Sequence, residues 1–259
     1  MAAFGLAVLI VVFAIGFASV GVFFARRLFR KRVGNSHNEV VNSLFSTAGM
    51  VYAVLLGFLV VVVWEAYDNA HRNVAEEAAA LLPLYRLTYG MEAAHGAEAR
   101  KLIRAYTVSV IRDEWPRMSH NGLGTPAARQ AITELDRQFG RLTAAQKQSD
   151  AQVDEAFLSA KSDVVLDRSK RLFAATDKIP WVMWLGAIGG GILVMSMSFF
   201  IYMEDAWPHA LMASLAASLI GLLLFIMVVL SRPFAGPLAI GPENFRAALY
   251  IMNELDRGS

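Results

Sequence analysis

The stretch FSTAGMVYAVLLGFLVVVVWEAYDNAHRNVAEEA, residues 45–78, decides the fold of this protein. No charged residue occurs between Phe45 and Trp64, a length that lets an α-helix cross the apolar core of a bilayer. Charged residues follow Trp64 at once, with no Pro or Gly to end the helix. The pattern therefore predicts one continuous helix, from about Phe45 to Tyr89, that leaves the membrane and enters a polar domain.

The composition indicates a membrane protein. The chain has 259 residues, of which 56% are hydrophobic, and its mean hydropathy is +0.44. The apolar residues are concentrated in blocks, and four blocks without Asp, Glu, Lys or Arg are long enough to span a bilayer. They are Met1–Ala25, Val40–Trp64, Ile179–Met203 and Ala206–Leu230. The first lacks a basic segment before it, so we expect a retained helix rather than a signal peptide.

The predicted fold class is an all-α membrane protein, with four transmembrane helices and a helical polar domain inserted between the second and the third. Apolar residues recur at helical spacing throughout the polar block, and Thr125 with Pro126 marks a helix start. The predicted ranges are a hairpin at 1–64 (helices at about 3–24 and 44–64), the polar domain at 65–178, a hairpin at 179–231 (helices at about 180–203 and 207–231) and a tail at 232–259.

Two points stay open at this level. The tail carries an amphipathic helix after Pro242, which would either lie on the membrane surface or dock on the polar domain. The basic loop between the first two helices, Arg26 to Arg32, favours the cytoplasmic side for itself and hence the outside for the polar domain. Other basic residues, between Lys161 and Lys178, favour the opposite orientation.

No motif supports an enzyme. The sequence contains no phosphate-binding glycine loop, no HExxH motif, no nucleophile elbow and no cysteine, and its five histidines have no metal-ligand spacing. We therefore predict no catalytic residue, no metal site and no cofactor. The net charge of +2, with acids and bases mixed, indicates no nucleic-acid partner.

The second predicted helix carries the candidate pore residues. Gly49, Ala53 and Gly57 repeat every four residues, a spacing that lets another helix approach closely, either within the protomer or between protomers. The same spacing of small residues occurs in the fourth helix, at Ala213, Ala217 and Gly221. We expect Gly49 and Gly57 to line a path, and the aromatic residues of this span to form a constriction: Phe45, Tyr52 and Phe58.

A charged stripe follows the span. Glu65, Asp68, Arg72 and Glu76 are spaced by three, four and four residues, and Asn69 lies beside them. The stripe is either a solvated helix face, stabilised by pairs of side chains four residues apart, or the mouth of a pore. In an oligomer, the acidic residues of such a mouth would form a ring that concentrates cations.

Several segments resemble the bestrophin-like domain family. They include NSLFSTAGMVYAVLLGFLVVVVWEAYDNA, YTVSVIRDEW, DRSKRL and SRPFAGPLAIGPENF, within about residues 42–249. The resemblance implies a relation to bestrophins, which are pentameric anion channels with a pore lined by the second helix and a helical cytosolic domain. The three-aromatic neck and the acidic calcium clasp of bestrophins have no counterpart here, so the resemblance carries over neither anion selectivity nor calcium gating.

These observations lead to a functional hypothesis. We expect a homo-oligomeric ion channel with a pore lined by the second helix, and the alternative is a non-conducting membrane sensor or scaffold whose helical domain binds a partner or ligand. The expected partners are the lipid bilayer, further copies of the chain and inorganic ions. The expected location is the bacterial inner (plasma) membrane, with multiple passes.

Overall fold

A computed structural model describes residues 2–29, 35–120, 124–145 and 151–258. Every regular element in these ranges is helical, which confirms the predicted all-α fold class. The elements are α1 (Ala2–Phe29), α2 (Asn35–Leu87), α3 (Ala93–Ser109), α4 (Trp115–Met118), α5 (Pro126–Ala145), α6 (Ala151–Thr176), α7 (Trp181–Trp184), α8 (Gly190–Ser198), α9 (Ala206–Leu230) and α10 (Glu243–Gly258). Residues 30–34 of the predicted basic loop lie outside the described ranges.

In the described ranges, 3₁₀ and π-helical turns extend these helices at three places. A 3₁₀ turn, Thr88–Gly90, follows α2. A π-helical turn, Val110–Glu114, joins α3 to α4, and a second one, Leu185–Gly189, joins α7 to α8. A π turn holds one more residue than an α-helical turn, so it changes which side chains face the rest of the protein.

The helix α2 is 53 residues long and continuous, as the sequence predicts. No Gly or Pro interrupts it between Phe58 and Leu82, and Pro83 lies close to its end. Its apolar half and its charged half are therefore parts of one helix.

Within the described residues, four helical segments are long and apolar enough to cross a membrane. The chain is an integral membrane protein. The segments are Phe4–Leu28, the apolar part of Asn38–Gly90, Trp181–Ser198 and Ala206–Leu230. The third segment ends earlier than predicted, because the backbone turns at Phe199 and Phe200.

The chain divides into two compact units. The first, here called the membrane unit, comprises Met1–Glu65 and Lys178–Ser231. In it α1 packs along α9 through small side chains, so that a Cβ atom on Gly221 would lie 3.3 Å from Ala14. The small residues Ala213 and Ala217 are buried in this contact. The small-residue repeat of the fourth helix thus serves packing inside the protomer.

The second unit, here called the helical domain, comprises Ala66–Asp177 and Arg232–Ser259. Its core joins the charged half of α2 with α3, α4, α5, α6 and α10. Thr125 caps α5 as the sequence predicts, because its hydroxyl accepts a hydrogen bond from the Ala128 amide at 3.3 Å.

The tail docks on the helical domain, which resolves the alternative that the sequence left open. Phe245, Ala248 and Met252 of α10 are buried in the domain core. Trp115 donates its indole N–H to the Ile240 carbonyl at 3.0 Å, and its ring meets Phe245 at an edge. The apolar face of α10 is therefore covered by protein.

Candidate functional site

The two faces of α2 have different environments. One face is buried along both halves of the helix. Its buried residues include Leu56, Val63, Ala70, Val74 and Leu81. The opposite face is exposed, and its residues follow at spacings of four, three, four, four, three and four, which keeps them on one side of an α-helix. This exposed stripe consists of Val54, Phe58, Val61, Glu65, Asn69, Arg72 and Glu76.

The stripe changes character along its length. Val54, Phe58 and Val61 are exposed apolar side chains, and Phe58 is 68% exposed. Beyond Val61 the same face carries the charged residues Glu65 and Arg72. Within the protomer, therefore, one continuous helix face leads from an apolar to a charged surface.

The predicted mouth residues lie together on or next to this stripe. Glu65, Asn69, Arg72 and Glu76 belong to it, and Asp68 is half-exposed beside it. Arg72 pairs with Asp68 at 3.1 Å and donates a hydrogen bond to Asn69 at 2.7 Å. Part of the acidic charge is therefore compensated on the helix itself.

The predicted constriction residues are divided between the two faces. Phe58 lies on the exposed stripe, and Gly57 is exposed beside it with open space around its Cα atom. Tyr52 is buried against α8, and its hydroxyl donates a hydrogen bond to the Ala187 carbonyl at 2.7 Å. Phe45 and Gly49 precede Tyr52 by two turns and one turn, so they share its side of the helix. Both are half-exposed.

A cluster of buried charges holds α2 inside the helical domain. Arg171 of α6 is its centre, and the side chains of Arg171, Glu77 and Glu114 have no solvent exposure. The Nε and Nη2 atoms of Arg171 donate to the two carboxylate oxygens of Glu77 at 2.6 and 3.1 Å. Nη2 also donates to Glu114 at 2.7 Å. We call Arg171, Glu77 and Glu114 the Arg171 cluster.

Other groups complete the surroundings of the cluster. Tyr106 donates its hydroxyl to Glu77, and Arg168 donates to Glu114. The Thr125 amide also donates to Glu114, at 2.9 Å. The rings of Trp115 and Phe245 lie 5.4 and 5.6 Å from the Arg171 guanidinium carbon. Every carboxylate oxygen of the cluster therefore accepts a hydrogen bond, which is what buried charges require.

The electrostatics of the cluster follow from these contacts. Burial opposes the ionisation of Glu114, but the charges and hydrogen bonds of Arg171 and Arg168 outweigh it, so the pKa of Glu114 lies below its ordinary value. Burial, together with the charge of Glu77, raises the pKa of Tyr106 well above its ordinary value. Near neutral pH Glu114 is thus ionised and Tyr106 is a hydrogen-bond donor.

Motifs and helical spacing did not predict this cluster, although the sequence contains a signal for it. Glu77 lies at a buried position of the helical repeat, between Val74 and Leu81, where an apolar residue is expected. Its partners occur in two of the segments that carry the family resemblance, Glu114 in YTVSVIRDEW and Arg171 in DRSKRL. Among the described residues, no group of three His, Asp or Glu side chains could hold a metal ion.

Comparison with known proteins identifies the family. The Bestrophin-like domain family matches residues 12–245. The chain belongs to this family. No curated protein matches the chain with significance.

Solved structures with the same fold include bacterial bestrophin homologues from Klebsiella pneumoniae. One, a mutant form, has a TM-score of 0.74 at 14% identity, covering 94% of this chain and 98% of the other. One phased by Zn-SAD has a TM-score of 0.73 at 14% identity, covering 93% and 98%. At these identities the likeness shows that the bestrophin-like chain shares the fold.

Proposed function

We propose that the protein is a homo-oligomeric ion channel in which the exposed stripe of α2 lines the ion path. The observation that carries the proposal is the stripe itself. A helix face that is apolar at Phe58, acidic at Glu65 and exposed among the described residues fits the wall of a path shared by several copies. Family membership supports the proposal, because bestrophins are ion channels.

Phe58 and its apolar neighbours form the narrow part of the proposed path. A ring of such side chains excludes water and ions when it closes, which makes it a gate without any titrating group. Val54 and Val61, one turn to either side of Phe58, extend the ring.

The charged part of the stripe forms the proposed mouth. Glu65, Asp68 and Glu76 contribute three carboxylates for each protomer, against the guanidinium of Arg72 and the ammonium of Lys170, which lies 4.0 Å from Glu76. The excess of negative charge favours cations at the mouth, whereas the relation to bestrophins implies anions. Conduction of cations would therefore support the acidic mouth as the determinant of selectivity, and conduction of anions would support the relation to bestrophins.

The environment of the proposed channel follows from the same reasoning. The four apolar spans require a bilayer, and we propose the inner membrane of a bacterium, because the similar solved structures are of bacterial proteins. Inorganic ions and further copies of the chain are the partners that the proposal needs.

The test is ion flux through liposomes that hold the purified protein, with potassium and chloride gradients measured separately. We expect a selective leak that protein-free liposomes lack. The alternative, a non-conducting sensor or scaffold, predicts no leak from protein shown to be folded and inserted. Crosslinking in the same liposomes gives the number of subunits, and a monomer would contradict the proposal.

A further inference from the structure

The Arg171 cluster joins the pore-lining helix to three other parts of the helical domain. All three guanidinium nitrogens of Arg171 are used, because Nη1 contacts the Met118 sulfur at 2.8 Å while Nε and Nη2 hold the carboxylates. The contacts lead from α6 to α2 through Glu77, to the π turn through Glu114 and to α4 through Met118. The cluster is thus a junction of four elements.

Stability alone does not account for such a junction. An ion pair without solvent exposure loses the hydration of both charges, and an apolar core of the same volume is often at least as stable. An apolar core does not fix the orientation of the helices that form it, because apolar side chains tolerate sliding and rotation of one helix against another. A guanidinium held at two points by one carboxylate has a fixed planar geometry.

The orientation of α2 depends on this geometry. Glu77 lies one residue after Glu76, and Glu76 belongs to the exposed stripe. Because Glu77 and the stripe residues of the helical domain lie on one continuous helix, the rotation of Glu77 about the helix axis sets the rotation of Asn69, Arg72 and Glu76. Tyr106 of α3 holds the same carboxylate that Arg171 of α6 holds, so two different helices fix this rotation.

We propose that Arg171 is a positioning residue, which sets the rotation of α2 through Glu77 and thereby determines which α2 side chains face the ion path. The proposal rests on the proposed channel function only for its last part. The rotation of α2 is measurable without ion flux, so the two proposals can fail separately.

Thiol labelling provides the test, and the chain suits it because it contains no cysteine. Two reporter positions lie on opposite sides of α2. Val74 is fully buried, Glu76 is exposed, and the two are separated by about 200° around the axis. A third reporter, Ala128, is fully buried on a different helix, α5, and detects general loosening of the domain. Each is replaced by cysteine in turn, and its rate of modification by a water-soluble reagent is measured.

The main variant is Arg171→Lys, which keeps the charge and loses the two-point contact. The matched control is Arg168→Lys, one turn earlier on α6, because Arg168 donates a hydrogen bond to Glu114 of the π turn, whereas Arg171 also donates to Glu77 of α2. We expect Arg171→Lys to accelerate labelling of V74C at least about tenfold and to slow labelling of E76C. A128C stays protected, and Arg168→Lys leaves all three rates near the wild-type values.

Two further measurements complete the design. Tyr106→Phe removes one hydrogen bond to Glu77 and keeps Arg171, so it gives a smaller shift in the same direction and decides the matter if Arg171→Lys does not fold. In the liposome assay, Arg171→Lys changes the leak by about threefold or more and Arg168→Lys does not. Unchanged labelling of V74C in folded variants, or equal acceleration at A128C, would overturn the positioning role. A labelling shift without any leak would refute only the channel.

Discussion

Tyr52 of α2 donates a hydrogen bond to the backbone carbonyl of Ala187, 2.7 Å away, inside the π turn that precedes α8. The ring of Tyr52 also lies against Gly190 and Gly191, where the absence of side chains leaves room for it. Tyr52 therefore attaches the long helix to the third span by a polar contact and a close apolar contact. The Ala187 carbonyl accepts from the Gly190 amide as well as from Tyr52, and the ring contact requires that Gly190 and Gly191 carry no side chain.

This contact predicts different effects for two adjacent glycines. A Cβ atom on Gly190 would lie 2.6 Å from the Tyr52 ring, whereas one on Gly189 would meet only the Leu185 side chain at 3.7 Å. Gly190→Ala should destabilise the protein by about 1–3 kcal/mol, because the ring must move. Gly189→Ala should be neutral or stabilising by up to about 1 kcal/mol, because Ala favours a helix. Thermal unfolding in detergent measures both, and equal effects would contradict the contact.

The proposed apolar gate predicts that Phe58→Ala increases ion flux. Removing the ring widens the narrow part of the path, so we expect the leak through liposomes to rise by about threefold or more. Phe24→Ala on α1 is the control, since its side chain is 65% exposed and that of Phe58 is 68% exposed. If both variants change the leak equally, the effect arises from the bilayer and not from a path along α2.

The proposed mouth predicts that Glu65 affects ion selectivity more than Asp68 does. Arg72 compensates Asp68 at 3.1 Å, so Glu65→Gln should lower the cation-to-anion permeability ratio by about threefold, and Asp68→Asn should lower it less. Reversal potentials in a planar bilayer give the ratio. The control is Glu98→Gln on α3, which removes a surface carboxylate paired with Lys101. If neutralising both Glu65 and Asp68 leaves the permeability ratio unchanged, neither residue lines the ion path.

The lowered pKa of Glu114 predicts how stability changes with acid. The stabilisation is present above the ordinary carboxyl pKa of 4.5 and is lost as the pH falls through the lower pKa of the folded state, because the unfolded chain binds the proton more tightly. Glu114→Gln should therefore destabilise the protein near neutral pH, by about 3 kcal/mol. Its difference from wild type should shrink as the pH decreases.

Unfolding temperatures between about pH 3 and about pH 7 test this dependence. Asp113→Asn is the control, because Asp113 is the exposed neighbour in the same π turn and lies outside the Arg171 cluster. A constant difference between Glu114→Gln and wild type over the whole range would show that Glu114 is not held ionised by Arg171 and Arg168.

The local sequence determined the fold class and the continuity of α2. Uncharged blocks of membrane length mark the four spans, and the absence of Gly and Pro between Phe58 and Leu82 lets the helix run on to its charged half. The spacing of Glu65, Arg72 and Glu76 also placed these residues on one helix face, since that relation depends only on the helical repeat.

Only the tertiary structure decided which side of α2 is buried and how that side is held. The repeat cannot distinguish Tyr52, which packs on α8, from Phe58, which is exposed, because both are aromatic residues of the same apolar span. Nor can it pair Glu77 with Arg171, which lies 94 residues later in the chain. Helical periodicity describes each helix in isolation, whereas burial and ion pairing arise from the contacts between helices that folding brings together.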